Sequence, residues 1–330
     1  MNKSPEQSEQ FEGELIVVLD REMGPADIVY TTAIDYSSGQ KNDKAGGLLL
    51  ELLALTEEVV TLSCNKRLSA ENKRLLRHKK AELNFLLEIF SRQKLISKKI
   101  LELLMEGKVK TGIWIDSIGG YTDTKEKLLC VADHLDRRQG KVSTYTDIKA
   151  ASAAFDIAFL GHEINALKKS EFMWHFSDSD ESPRTTKIAQ FKAKGDLDEA
   201  GQQELEELMD ILDQAKPGFK EKLWAEVLRQ INHPDNQDGD VYFQGADLAE
   251  AGLITNCYKK GQELHAKFAA DFPVYAETNS NFFTQSISEK VHRLIAGQMH
   301  WFDPRTLALT SKLQQKYERG SRSAKSKKKS

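Results

Sequence analysis

The 330-residue sequence contains only three cysteines, too few and too scattered for a disulfide framework. Cys64, Cys130 and Cys257 are far apart, and none belongs to a metal-ligand spacing. We expect reduced thiols in a cytoplasmic protein that needs no metal or other cofactor. No phosphate-binding loop is visible either.

Long apolar segments are also missing. The first ten residues are polar and lack the apolar core of a signal peptide. No uncharged apolar run approaches the roughly 20 residues that span a bilayer. Neither secretion nor membrane insertion is therefore expected.

Charge is nearly balanced overall but unevenly distributed. The formal net charge is −3, and the last twelve residues carry six positive charges. Without those six charges the net charge becomes −9, and an acidic body argues against nucleic acid as a partner. Residues 319–330 have no apolar side chain larger than alanine, so we expect a disordered, solvated tail.

Strand and helix patterns alternate along the first two thirds of the chain. Residues from Ser69 to Gly107 read as helical throughout, with Ser69 as N-cap and Gly107 as stop. This order predicts parallel strands joined by crossover helices. The predicted strands are Gly13 to Asp20, Asp27 to Ile34, Lys110 to Ser117, Val142 to Ile148 and Phe172 to Phe176.

The segment from Gly112 to Ser177 carries the residues suited to acyl-transfer chemistry, which needs a nucleophile, a base and oxyanion donors. Ser152 lies where a strand gives way to a helix, and His175 follows a later strand. These positions favour Ser152 as nucleophile and His175 as general base and acid. The oxyanion hole is predicted from the amides of Gly119, Gly120 and Ala153.

These motifs resemble those of the Clp protease proteolytic subunit. Ile-Asp-Ser-Ile-Gly-Gly is similar to its Ile-Asn-Ser-Pro-Gly-Gly, Ala-Ala-Ser to its nucleophile motif and Phe-Met-Trp-His to its histidine block. A fourth similarity runs from Asp240 to Ile254 and extends to signal peptide peptidase A. The resemblance implies a catalytic Asp a little upstream of this last block. Asp235 is our first choice, with Asp238 and Asp240 as alternatives.

The resemblance implies an α/β fold, the Clp/crotonase-like superhelix of ββα units. The implied organisation is a disordered N-terminus at 1–12, then this domain at 13–258 with a helical insertion at about 57–107. A helical C-terminal extension at 259–318 and the disordered basic tail at 319–330 follow. Two departures from the family pattern bear on the substrate groove, because Ile148 replaces a glycine and Ile118 replaces a proline.

The activity implied is that of a serine endopeptidase acting on peptides or unfolded proteins. The resemblance further implies a homo-oligomer and an ATPase unfoldase as partner. Two alternatives stay open: a catalytically inactive assembly or partner-binding protein of the same fold, and an acyl-coenzyme A enzyme of the crotonase branch.

Overall fold

A central sheet flanked by helices organises the protein, giving a mixed α/β architecture. The computed structural model describes residues 11–23, 30–38, 41–42, 46–65, 68–93, 98–120, 122–138, 140–179 and 182–279. Its strands are β1 (Gly13–Met23), β2 (Tyr30–Asp35), β3 (Lys41–Asn42), β4 (Val109–Gly120), β5 (Lys141–Ala151), β6 (Glu163–Leu167), β7 (Glu171–Trp174), β8 (Val241–Gln244) and β9 (Asn256–Tyr258). Its helices are α1 (Gly46–Cys64), α2 (Ala70–Gln93), α3 (Lys98–Glu106), α4 (Thr122–Asp136), α5 (Ala153–Ala158), α6 (Arg184–Lys192), α7 (Glu199–Leu212), α8 (Lys220–Ile231), α9 (Gly245–Ala251), α10 (Gly261–Asp271) and α11 (Pro273–Thr278).

The strands follow the spatial order β3-β2-β1-β4-β5-β6-β9. From β1 to β9 every pairing along this order is parallel, which confirms the prediction of parallel strands with crossover helices. β5 also pairs in parallel with β7, at its carboxyl end. Antiparallel pairings join β2 to β1 and β3, and β8 to β7.

The two faces of the sheet bury different side chains, because successive residues of a strand point to opposite faces. On one face, Ile113 and Ile115 of β4 join an aliphatic core beneath α1, α4 and α5. Between them, Trp114 points to the other face, where its ring lies 5.3 Å from that of Phe268 in α10. This second face is aromatic.

A buried carboxylate fastens the last described helix to the aromatic face. Glu14 of β1 is fully buried and accepts hydrogen bonds from the amides of Val274 and Tyr275, at 3.2 and 2.8 Å. These amides open α11 and have no partner within the helix. The hydroxyl of Tyr36 donates to the same carboxylate. Burial raises the pKa of Glu14 in spite of these bonds.

The helical prediction for Ser69 to Gly107 is confirmed where the structure describes this stretch, by α2 and α3, and residues 94–97 lie outside the described residues. The Ser69 hydroxyl accepts from the Asn72 amide at 3.1 Å, so Ser69 does cap α2. Gly107 takes a positive φ of 71° directly after α3. That conformation suits glycine at a helix end.

The chain divides into two compact units, residues 1–284 and 285–330, and the described residues all belong to the first. The predicted disordered N-terminus, apart from residues 11 and 12, lies outside the described residues. So do the predicted helices beyond residue 279 and the basic tail. No described helix is both long and apolar enough to cross a membrane.

Candidate active site

Three neighbouring strands end beside one another, and each end carries a residue predicted for the site. β4 ends at Gly120, while Ser152 directly follows β5 and His175 directly follows β7. The Ser152 amide donates to the Met173 carbonyl at 2.8 Å, which joins the serine to β7 just before the histidine. The structure therefore brings these residues to one edge of the sheet, where parallel sheets commonly hold their ligands.

Ser152 has a strained backbone, with φ 55° and ψ −131°. Left-handed φ angles are costly for a residue with a side chain, by about 1–3 kcal/mol, and such strain clusters at functional sites. Here the strand turns abruptly into α5, and the alanines on both sides of Ser152 are buried. The Ser152 hydroxyl makes no hydrogen bond to any residue that the structure describes.

Gly119 lies directly against Ser152. A Cβ built on Gly119 would come 2.4 Å from Ser152 Cβ and 2.6 Å from the Ala151 carbonyl oxygen, and the φ of Gly119 is +89°. Only glycine fits this position. Its amide donates to the buried Ser117 hydroxyl at 3.1 Å and is thus already engaged.

The other two predicted oxyanion donors differ from Gly119. The Ala153 amide, the first of α5, donates to no acceptor among the described residues. Gly120 is exposed at the end of β4 and also has a positive φ, of 147°. Of the three predicted donors, the Ala153 amide is the one seen to lack an acceptor among the described residues.

His175 is fixed in one tautomer by its own backbone neighbour. Its Nδ1 lies 2.5 Å from the Phe176 carbonyl oxygen. Because a carbonyl can only accept, Nδ1 carries the proton and the lone pair of the neutral ring is on Nε2. This is the protonation state that a general base requires.

The surroundings of His175 also keep it neutral. Burial lowers the pKa of His175, and the nearby Arg184 guanidinium lowers it further. The bond to the Phe176 carbonyl and the charges of Asp240 and Glu204 act in the opposite direction, without reversing the shift. A neutral imidazole at neutral pH follows from these effects.

The chain after His175 is clamped by a buried ion pair. Lys187 of α6 is 1% exposed and donates to Glu204 of α7 at 2.9 Å and to the Ser177 carbonyl at 3.2 Å. Glu204 in turn accepts from the Ser177 amide at 2.8 Å and from its hydroxyl. Because buried charges are held firmly when paired, this network restrains the segment that includes the Phe176 carbonyl.

The three aspartates considered as third triad member occupy different environments. The Asp235 side chain is 92% exposed and lies 3.9 Å from His233, and the structure gives it no bond to His175. Asp238 is exposed as well. Asp240 is the one whose charge acts on His175. Its carboxylate contacts Arg184 and accepts from the Tyr242 hydroxyl at 2.9 Å.

Two exposed isoleucines lie on the strand ends that carry the site. Ile118, which precedes Gly119, is 57% exposed, and Ile148 is 61% exposed. Ile148 belongs to a bulge, since β5 places three residues opposite the single Asp116 of β4. The two departures from the family pattern thus add apolar surface near Ser152.

Several groups at this site have no signal in the sequence. The Phe176 carbonyl is a backbone atom, and every residue has one. Arg184, Lys187 and Glu204 belong to helices that the sequence shows as ordinary amphipathic or acidic segments, and their approach to His175 is a tertiary event.

The assembled groups suit attack on a carbonyl carbon. Ser152 has an uncommitted hydroxyl, His175 has a basic Nε2, and the Ala153 amide can donate to an oxyanion. Among the described residues no cluster of three or more His, Cys, Asp or Glu side chains could hold a metal ion.

Comparison with solved structures gives a weak structural likeness. No protein-family model and no curated protein matches the chain. Among solved structures, the chain is similar to a point mutant of ClpP1 from Listeria monocytogenes, with 15% sequence identity. The match covers 53% of this chain and 88% of that one, with a TM-score of 0.33.

Proposed function

We propose that the protein is a serine hydrolase that cleaves peptide bonds through a Ser152 acyl-enzyme. The observation that carries this proposal is the strained, uncommitted Ser152 at a strand-to-helix turn. Hydrolases use such a turn to present the nucleophile at the edge of a sheet. Backbone strain at a residue whose side chain makes no hydrogen bond to a described residue supports a functional role.

In the proposed reaction His175 Nε2 takes the proton of the Ser152 hydroxyl as its oxygen attacks the substrate carbonyl. The Ala153 amide, together with Gly120, holds the oxyanion that forms. Imidazolium then returns the proton to the leaving amine, and water hydrolyses the acyl-enzyme by the same steps in reverse. In the arrangement that the structure shows, the Phe176 carbonyl orients the imidazole, which is the task a triad carboxylate performs elsewhere.

The substrate and partners are proposed from the order of the sequence motifs. Peptides or unfolded proteins are the proposed substrates, and the exposed Ile118 and Ile148 favour apolar residues near the scissile bond. A homo-oligomer served by an ATPase unfoldase is the proposed assembly, within a Clp/crotonase-like fold.

A second candidate is a non-catalytic binding protein of the same fold. One observation favours it: the structure gives no hydrogen bond between the Ser152 hydroxyl and His175 Nε2. Catalytic hydrogen bonds are often long or absent before substrate binds, so this geometry does not decide between the candidates.

Labelling with a fluorophosphonate separates the two candidates. We expect the full-length protein to be labelled, Ser152→Ala to be unlabelled and His175→Ala to be slowed by about 10²–10⁴-fold, the usual contribution of a general base. Ser143→Ala, which removes a half-buried serine of the same strand, is the matched control and should label normally. Equal labelling of wild type and Ser152→Ala would exclude the hydrolase.

Labelling reports an activated serine and not the bond that is cleaved. Quenched peptides with isoleucine or leucine before the scissile bond test the peptidase assignment directly. Labelling without peptide cleavage would keep Ser152 as nucleophile and move the substrate to another acyl class.

A further inference from the structure

Asp240 and His175 extend from the same end of the antiparallel β7–β8 pairing, since Asp240 directly precedes Val241 and His175 directly follows its partner Trp174. Each of the two side chains is nevertheless bonded to another group. Arg184 contacts one carboxylate oxygen of Asp240, and the Tyr242 hydroxyl donates to the other at 2.9 Å. His175 Nδ1 is bonded to the Phe176 carbonyl. A triad would need a hydrogen bond between the Asp240 carboxylate and His175 Nδ1. In this structure both groups are bonded to other partners.

We propose that Arg184 is a latch that withholds Asp240 from His175 Nδ1. Arg184 opens α6, and its side chain is about one-fifth exposed, as is that of Asp240. The inference rests on the proposed function, because it concerns the strength of the base that activates Ser152. Releasing the latch joins Asp240 to the imidazole and converts a Ser-His dyad into a triad.

The latch is incompletely bonded, which suits a contact that opens. Arg184 Nε is buried and has no hydrogen-bond partner among the described residues. Guanidinium–carboxylate pairs are frequently bidentate, with two parallel hydrogen bonds. By contrast, the nearby Lys187 is saturated by Glu204 and Ser177, as expected of a structural ion pair.

The remaining part of the Asp240 loop is already in place for this role. The Asn236 side chain accepts from the Asp240 amide at 3.1 Å and donates to its carbonyl at 2.8 Å. Burial, together with the bond to Asp240, raises the pKa of Tyr242 to about 12, so its hydroxyl remains a donor at neutral pH. Backbone and phenol thus hold Asp240 beside His175 whether or not Arg184 is bound.

Three charged groups from three segments act on His175, and each must be counted in a test based on pH. Arg184 comes from α6, Glu204 from α7 and Asp240 from the segment before β8. Lys187 and Glu204 bind each other. Arg184 and Asp240 are therefore the pair whose contact the experiment changes.

The experiment is a double-mutant cycle of Arg184→Gln and Asp240→Asn in the full-length protein. Its first readout is the imidazole resonance of His175 in NMR titrations, assigned with His175→Gln. Its second is the pH dependence of fluorophosphonate labelling. The NMR readout needs no activity, so failure of the latch and failure of the hydrolase assignment are distinguishable.

Arg184→Gln should shift the His175 midpoint to higher pH, because a carboxylate bonded to Nδ1 favours imidazolium. Labelling should therefore slow in the acid limb and rise by about three- to tenfold on the plateau, where the base is stronger. A strongly deshielded Nδ1 proton should appear in Arg184→Gln and vanish when Asp240→Asn is added. Arg184→Lys, which keeps the charge, should restore wild-type behaviour.

Two outcomes would overturn the proposal. Arg184→Gln could shift the His175 midpoint equally in the wild-type and Asp240→Asn backgrounds. That result would mean that the charge of Arg184 acts on His175 directly and not through Asp240, since the effects of independent substitutions add. No shift at all would mean that the pair does not control His175. Arg229→Gln removes an exposed arginine that is paired with Glu226 on α8, and as the matched control it should change neither readout.

Discussion

The aromatic face of the sheet and the edge that carries Ser152 treat their polar groups in opposite ways. On the aromatic face, Glu14 accepts from two amides and a hydroxyl, and Tyr145 donates to Asp271. At the site edge, the Ser152 hydroxyl and the Ala153 amide have no partner among the described residues. Saturated polar groups stabilise a fold, whereas groups left free at a surface are available to a ligand.

Backbone strain separates the site edge from the aromatic face in the same way. Ser152 and Lys194 are the described non-glycine residues with positive φ, and Lys194 lies just beyond the end of α6, where such a conformation is ordinary. The aromatic face is instead built from interlocked rings, with Phe268 lying 4.9 Å from Tyr145 and 5.1 Å from Phe272. The aromatic face thus has the features of a stabilising core, and the site edge has those that support the proposed chemistry.

Phe268→Ala should give the largest effect on stability and sharpen this division. Phe268 is fully buried among four rings, so we expect a loss of about 3–5 kcal/mol in the free energy of unfolding. Denaturant unfolding measures the loss. Labelling of Ser152 well below the unfolding transition should stay near the wild-type rate, and Leu75→Ala, on the exposed part of α2, should be nearly neutral. A labelling rate that collapsed in the folded Phe268→Ala protein would break the division.

Gly119→Ala should have the next largest effect, and here stability and labelling fall together. The new methyl would overlap Ser152 and the Ala151 carbonyl at a positive φ, which predicts a loss of about 2–4 kcal/mol and a displaced serine. Gly218→Ala is the matched control, with a φ of 82° and no atom within 4 Å of the added carbon. It should cost only about 1 kcal/mol and leave labelling intact. Similar behaviour of the two variants would show that close packing at Gly119 is unimportant.

Glu14→Gln should have the smallest effect, seen in the pH dependence of stability. Because burial raises the pKa of Glu14 in the folded state, its contribution is fully present below the unfolded pKa and is lost as the pH rises through the folded pKa. The wild-type advantage over Glu14→Gln should thus shrink with rising pH in that window, by at most about 1.4 kcal/mol per pH unit. Urea unfolding at several pH values measures it. Parallel curves for the two proteins would contradict the assignment.

The sequence predicted the elements around the site better than the contacts within it. Residues such as Ile113 and Ile115 mark a buried strand, and Ser69 and Gly107 mark helix ends, because these signals are local. Which of the three candidate aspartates approaches His175 was not predictable in this way. Asp235, Asp238 and Asp240 are close in sequence, and only the path of the loop, held by Asn236, brings Asp240 to bear on His175.

Local periodicity and small-residue patterns by themselves determined the parallel strands, the crossover helices and the position of Ser152 at a turn. The tertiary structure alone decided which atoms are bonded: the Phe176 carbonyl on His175, Ser117 on the Gly119 amide and Arg184 on Asp240. The physical reason is range. Backbone preferences act over a few residues, whereas hydrogen bonds and charges depend on distances that the chain sets only after it has folded.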